Sequence, residues 1–145
     1  MNANTMTLPP PGRLNAALSA LRLVTGIVFA AHGGQKLFVY GLEGVAGAFA
    51  GMGIPLAGIA GPAVALVEFL GGLALVLGLF TRLASVGLAV VMLGATVLVH
   101  LAGGFFLPNG VEYTLTLLAA SVALALTGPG AFSLDAVLAR RKAEA

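Results

Sequence analysis

The fold class predicted by the sequence is an all-α membrane protein: four transmembrane helices in a bundle, both termini cytoplasmic, and a short C-terminal amphipathic helix. Three observations predict it. The 145 residues are 59% hydrophobic and only 8% charged, and the mean hydropathy is +1.07, far from the composition of a water-soluble domain. Apolar residues gather in four stretches, each close to the roughly 20 residues that a helix needs to cross about 30 Å of hydrocarbon. Each stretch carries or ends near one or two ionisable residues, which such a solvent tolerates only when they are paired, hydrated or functional.

Residues 1–13 are polar and then Pro-rich, with Pro9, Pro10 and Pro11 in a row, and read as a disordered lead. Arg22 interrupts any signal-peptide core, so the first helix is expected to be retained. The transmembrane domain is expected over residues 14–130. Its first span runs from Leu14 to Phe38 and contains Arg22, His32 and Lys36. A Gly-rich connection follows from Gly41 to Gly61, in which Val45 to Met52 suits a short surface helix and Gly53-Ile54-Pro55 a turn.

The second span is expected from Pro62, a residue suited to the first helical turn, to Phe80, with Glu68 inside it. Thr81-Arg82 makes a tight connection to a third span, Leu83 to Leu101, which ends with His100. After an aromatic, turn-rich loop the fourth span runs from Val111 to Leu126, opening with Glu112, and Gly128-Pro129-Gly130 stops it. Residues 131–145 form the cytoplasmic tail. Ser133 suits its N-cap, Asp135 its first turn, and Arg140, Arg141 and Lys142 its end, so the tail is expected at the headgroups.

Orientation follows from the basic residues. Arg13, Arg82 and Arg140 to Lys142 flank one set of span ends, which the positive-inside rule assigns to the cytoplasm. The formal charge of +2 is dispersed, so no nucleic-acid partner is expected. The chain has no Cys, which excludes thiolate metal sites, iron–sulfur clusters and covalent c-type haem on it. No metal site is expected.

Counted along straight helices, His32 and His100 stand ~25 Å from the cytoplasmic end and Lys36 ~5 Å higher. Glu68 and Glu112 fall in the same outer third, so all four spans contribute to one polar layer. Arg22 lies about 10 Å in from the cytoplasmic end and forms a separate feature. It shares a helical face with Gly26, Phe29, Gly33 and Lys36, which should turn inward. Small residues on the other spans suit close helix packing, including Gly71, Gly72 and Gly78 on the second and Thr116, Ala120 and Ala123 on the fourth.

Glu68 is the first candidate for chemistry, as a proton donor or acceptor beside a ligand, with half of a structural ion pair as its rival reading. His32 is the second catalytic candidate, because a neutral imidazole both donates and accepts. Lys36, His100 and Glu112 are ligand-binding candidates, with interfacial anchoring the default for Lys36 and Glu112. Arg22 and Arg82 are structural charges. The two imidazoles at like depth also suit axial haem b ligation, ranked well below quinone.

Taken together, these motifs resemble the DoxX family. The resemblance rests on Arg22, His32-Gly33-Gly34-Gln35-Lys36, Gly53-Ile54-Pro55, Glu68 with Gly71-Gly72, Gly78-Leu79-Phe80-Thr81-Arg82, Gly104-Phe105-Phe106, Gly110-Val111-Glu112-Tyr113 and Gly128-Pro129-Gly130 before Ser133-Leu134-Asp135. It covers Leu21 to Asp135. It implies a four-helix, multi-pass protein of the bacterial cytoplasmic (inner) membrane. Relatives so implied include a subunit of an archaeal thiosulfate:quinone oxidoreductase and parts of membrane oxidoreductase complexes linked to thiol and oxidative stress. Arg22, His32, Lys36, Glu68, Arg82 and Glu112 match by position, and no catalytic role comes with them. Without Cys, thiol chemistry belongs to a partner.

Three functions compete. The preferred one is a quinone-interacting or accessory subunit of a membrane oxidoreductase system, its headgroup entering between the first two spans. A non-catalytic membrane anchor or assembly subunit is second, and a small proton-coupled transporter third. The lipid bilayer is an expected partner, with a soluble redox protein and a homo-oligomer as further ones.

Overall fold

The computed structural model describes residues 10–144, so the lead expected over 1–13 lies mostly outside the described residues. From Pro11 onward the chain is already helical, as α1 (Pro11–Gly34), with Pro11 at the position where its missing N–H costs no hydrogen bond. A π-helical turn, Gln35–Tyr40, continues α1, and α2 (Gly41–Gly51) follows it. Gly41 has φ +69° and redirects the chain there. The run Pro11–Gly51 therefore contains one membrane-crossing length and a second, redirected segment.

Helix α3 covers Ala57–Leu77, five residues ahead of the start expected at Pro62. Pro62 removes one backbone bond near the helix start, where the loss is tolerable. The extra turn forms because it docks on α2, with Gly61 against the Ala46 backbone. At the other end Gly78, φ +67°, caps α3 in the left-handed conformation, earlier than the expected Phe80.

Helix α4 spans Thr81–Ala95 and leads into a second π-helical turn, Thr96–His100, and a 3-10 turn, Leu101–Gly103. The third span is thus not one uniform helix. Helix α5 covers Glu112–Thr127 and α6 covers Leu134–Ala143, with the Ser133 hydroxyl accepting the Ala136 N–H at 3.1 Å. Among the described residues no strand is present.

The helices form a bundle in which α1 packs on α3, α3 on α4, and α4 on α5, while α1 touches α5 more lightly. Helix α2 lies against α3. Phe29, Leu75, Leu88, Met92, Leu117 and Leu124 make the core. Large apolar side chains such as Val24, Ile27, Leu70 and Val90 stand exposed on the outside, an arrangement that suits lipid and not water.

Three helical runs are long and apolar enough to cross a membrane, and α5 is a shorter apolar helix of 16 residues. At about 1.5 Å per residue, α5 covers ~24 Å. Its inward face is Thr114, Leu117, Ser121 and Leu124, which corrects the expected face of Thr116, Ala120 and Ala123. The larger residues fill the seam with α4, where Thr96 donates to the Thr114 hydroxyl at 2.9 Å.

Candidate functional site

Close approach of α1 to α3 creates the site. A side-chain carbon at Gly33 would strike the Phe69 backbone, and one at Gly72 would strike that of Ala30. Glycine at both positions lets the two helices meet backbone to backbone. One turn beyond Gly33, the π-helical turn carries Lys36 over Glu68, and the two side chains form an ion pair. Turns of this type widen the helix by one residue and re-aim side chains at functional sites.

Glu68 is buried while Lys36 keeps 23% of its side-chain surface. The pair forms part of the wall of a cavity of about 360 Å³ bounded by α3, α4 and the end of α2. Phe49, Met52, Val64 and Leu98 supply apolar walls, and His100 joins Lys36 and Glu68 as the third ionisable group. This is the size and character of a small-molecule site, apolar with a few convergent polar groups. Apart from Lys36, the cavity lining comes from α2, α3, α4 and the turns that follow α2 and α4, while α1 meets α3 through the close glycine contact.

The second π-helical turn supplies His100. Its Nδ1 is 3.1 Å from the Asn109 carbonyl oxygen. A carbonyl only accepts, so Nδ1 carries the proton and Nε2 is left as an acceptor in the neutral ring. Both π-helical turns therefore deliver a polar side chain to one cavity: Lys36 from one and His100 from the other.

The remaining candidates lie elsewhere. His32 is exposed, its Nε2 is 3.3 Å from the Tyr113 hydroxyl, and it does not line the cavity. Glu112 closes its own loop by accepting the Leu107 N–H at 2.7 Å. Arg82 is exposed beside Gly128. The polar layer expected from depth alone thus divides into the cavity group of Lys36, Glu68 and His100, a His32–Tyr113 pair, and a loop-closing Glu112.

Arg22 is buried at the opposite end, donating from Nη2 to the Phe132 carbonyl at 2.6 Å. Asp135 accepts the Phe80 and Thr81 N–H groups at 2.8 and 3.0 Å, capping α4 from the tail. Sequence reasoning placed Asp135 only in the first turn of its own helix. The missed signal was the uncapped start of α4 at Thr81, whose free N–H groups need an acceptor. No cluster of three or more His, Cys, Asp or Glu side chains suited to a metal forms among the described residues.

Comparison with known proteins agrees with this architecture. The DoxX family model matches residues 17–101, and the model described as TQO small subunit DoxD matches residues 63–145. CatD of Bacillus subtilis, whose name makes it an oxidoreductase on a provisional footing, is 36% identical over 79% of this chain and 81% of its own. The membrane protein Rv3486 of Mycobacterium tuberculosis is 36% identical over 83% of this chain and 80% of its own. The inner membrane protein YphA of Escherichia coli is 30% identical over 79% of this chain and 84% of its own. No solved structure matches. With apolar helices throughout and a family match over more than half its length, this chain is a membrane protein of the DoxX family.

Proposed function

We propose that the protein is a quinone-interacting subunit of a membrane oxidoreductase system in the bacterial cytoplasmic membrane. Four helices, α1, α3, α4 and α5, would cross the bilayer with both termini in the cytoplasm, where Arg13, Arg82 and Arg140 to Lys142 meet the positive-inside rule. The single observation that carries the reading is the cavity between α3 and α4. It is apolar and presents one ion pair and one imidazole to whatever enters. The oxidoreductase name of CatD and the DoxD description of the second family match point the same way.

In this reading the quinone ring lies among Val64, Leu98 and Val99. The Lys36 ammonium donates to one ring oxygen, and His100 Nε2 accepts from the hydroxyl of the reduced form. Glu68 holds Lys36 in place and exchanges protons with it. Electrons come from a soluble redox partner, because the chain has no Cys for thiol chemistry of its own. The test is extraction and quantification of quinone from protein purified in mild detergent, with a dithionite-reduced minus oxidised spectrum of the same sample. Stoichiometric quinone supports the reading. Protein that is free of quinone and does not take up added quinone overturns it.

A second reading, a membrane anchor or assembly subunit, is favoured by the lock at the other end. Arg22, Phe132 and Asp135 tie the tail to α1 and α4 and would present α6 to a partner subunit or a second copy. Partner capture with an intact and a tail-truncated chain separates the two readings.

A further inference from the structure

The outer face of the seam between α4 and α5 carries a groove of about 260 Å³. Unlike the cavity beside Lys36, it has no polar side chain in its lining. Val86 and Leu93 of α4 form one rim, Val122 and Leu126 of α5 the other, and all four stand exposed. Ala89 and Ala125, half-buried, make the floor between them. Small side chains flanked by larger ones give a trough that follows the two helices.

At one end the groove meets a charge. Arg82 precedes Val86 by one helical turn on the same face of α4. Its guanidinium lies against Gly128, two residues past Leu126, and so stands across the end of the seam. Arg82 is exposed and forms no ion pair among the described residues. Asp135, the acid of the adjoining tail, is engaged by the Phe80 and Thr81 N–H groups instead. A free cation therefore sits at the mouth of a wholly apolar trough.

We propose that this groove binds an anionic phospholipid, with one acyl chain between α4 and α5 and the headgroup phosphate accepting hydrogen bonds from Arg82. At 1.5 Å per residue, Arg82 is about 6 Å from Val86, and Val86 is about 10 Å from Leu93. The first interval suits the glycerol ester groups and the second the upper part of an acyl chain. A guanidinium presents a planar fork of donors that matches phosphate oxygens. A zwitterionic headgroup would bring its own ammonium beside Arg82, so net negative charge is preferred. A second copy suits the groove less well. Packed about a two-fold axis along the membrane normal, it would set two Arg82 side chains at one level with no acid in either groove. The proposal rests on α4 and α5 crossing the bilayer and is independent of quinone.

Native mass spectrometry of the full chain, released from mild detergent with equimolar dioleoyl phosphatidylglycerol and dioleoyl phosphatidylcholine, reads the site directly. The unaltered chain should retain phosphatidylglycerol about fivefold more than phosphatidylcholine, the preference that one basic side chain near an anionic surface provides. Arg82→Gln should bring the two lipids to parity, and Arg82→Lys should keep most of the preference. Arg140→Gln removes the same charge from the exposed tail and should leave the preference unchanged. Ala125→Phe fills the floor of the groove and should lower retention of both lipids severalfold.

Equal retention of the two lipids by the unaltered chain overturns the proposal, as does a preference that survives Arg82→Gln or falls equally with Arg140→Gln. Unchanged retention in Ala125→Phe overturns it as well. A lipid-free dimer that Ala125→Phe dissociates assigns the groove to a second copy instead. Melting temperatures of the same samples isolate a purely structural Arg82: Arg82→Gln would then lower the melting temperature and leave the lipid preference intact.

Discussion

Lys36, on the π-helical turn that continues α1, and Glu68, midway along α3, are joined side chain to side chain across 32 residues of sequence. Both side chains line the cavity bounded by α3 and α4, and their unequal exposure decides what each partner loses when the other is removed.

Glu68 is 4% exposed and Lys36 23%. Lys36→Met strands a buried carboxylate, whereas Glu68→Gln strands an ammonium that keeps part of its surface. The first substitution should cost about 3 kcal/mol of stability and the second about half as much. Thermal denaturation in detergent gives the order, and a larger loss for Glu68→Gln would contradict it.

His100 and His32 should separate in function. His100 lines the cavity with its Nε2 available, and His32 pairs with Tyr113 outside it. His100→Ala should therefore weaken quinone retention by about tenfold, the equivalent of one lost hydrogen bond. His32→Phe should leave retention unchanged. Equal losses in titrations with added quinone would count against the cavity assignment.

The helix crossing makes a test of packing. Gly33→Ala and Gly72→Ala drive a methyl group into facing backbone, which cannot swing aside as a side chain would. Each should cost about 3 kcal/mol, at the upper end for overpacking. Gly58→Ala, in open space on α3, should instead stabilise by about 0.5–1 kcal/mol through helix propensity. Melting temperatures of the three variants check the signs.

Asp135→Ala removes the acceptor for two N–H groups at the start of α4. Loss of such a cap costs about 1 kcal/mol. Amide hydrogen exchange at Phe80 and Thr81 should accelerate, and limited proteolysis should cut the α6 segment sooner. Unchanged exchange at both amides would show that the cap is not needed.

Arg22→Met removes the donor to the Phe132 carbonyl from a buried position. It also removes a buried charge whose Nε and Nη1 have no hydrogen-bond partner among the described residues. Replacing such a charge with an apolar side chain is often neutral or stabilising. The tail should therefore become more susceptible to protease while the melting temperature of the bundle changes by only a few degrees.

Much of the architecture was legible from composition and punctuation. Long apolar runs marked the helices, Gly128 marked the end of α5, and Ser133 marked the start of α6, whereas Gly78 was read as a packing residue and its role as the cap of α3 was missed. The inward face of α1 was legible too, since Arg22, Gly26, Phe29 and Gly33 follow helical spacing and are all buried. Pro62 misled because a proline is tolerated near a helix start as well as at it, and contact with α2 settled the difference. The π-helical turns had no sequence signature to read, because one wide hydrogen-bonded turn has nearly the same residue preferences as the α-helix around it.

The sequence by itself determined that the chain forms apolar helices, which residues are ionisable within them, and the family to which it belongs. Depth along a helix follows from counting residues, so Lys36, Glu68 and His100 could be set at a common level. Which of them meet is a matter of helix rotation and separation, and only the tertiary structure decided it. The Gly33 and Gly72 crossing closed one interface and left the cavity at another, and two π-helical turns rotated Lys36 and His100 toward it. A residue's height is a local property of its own helix, whereas its partner depends on how other helices pack.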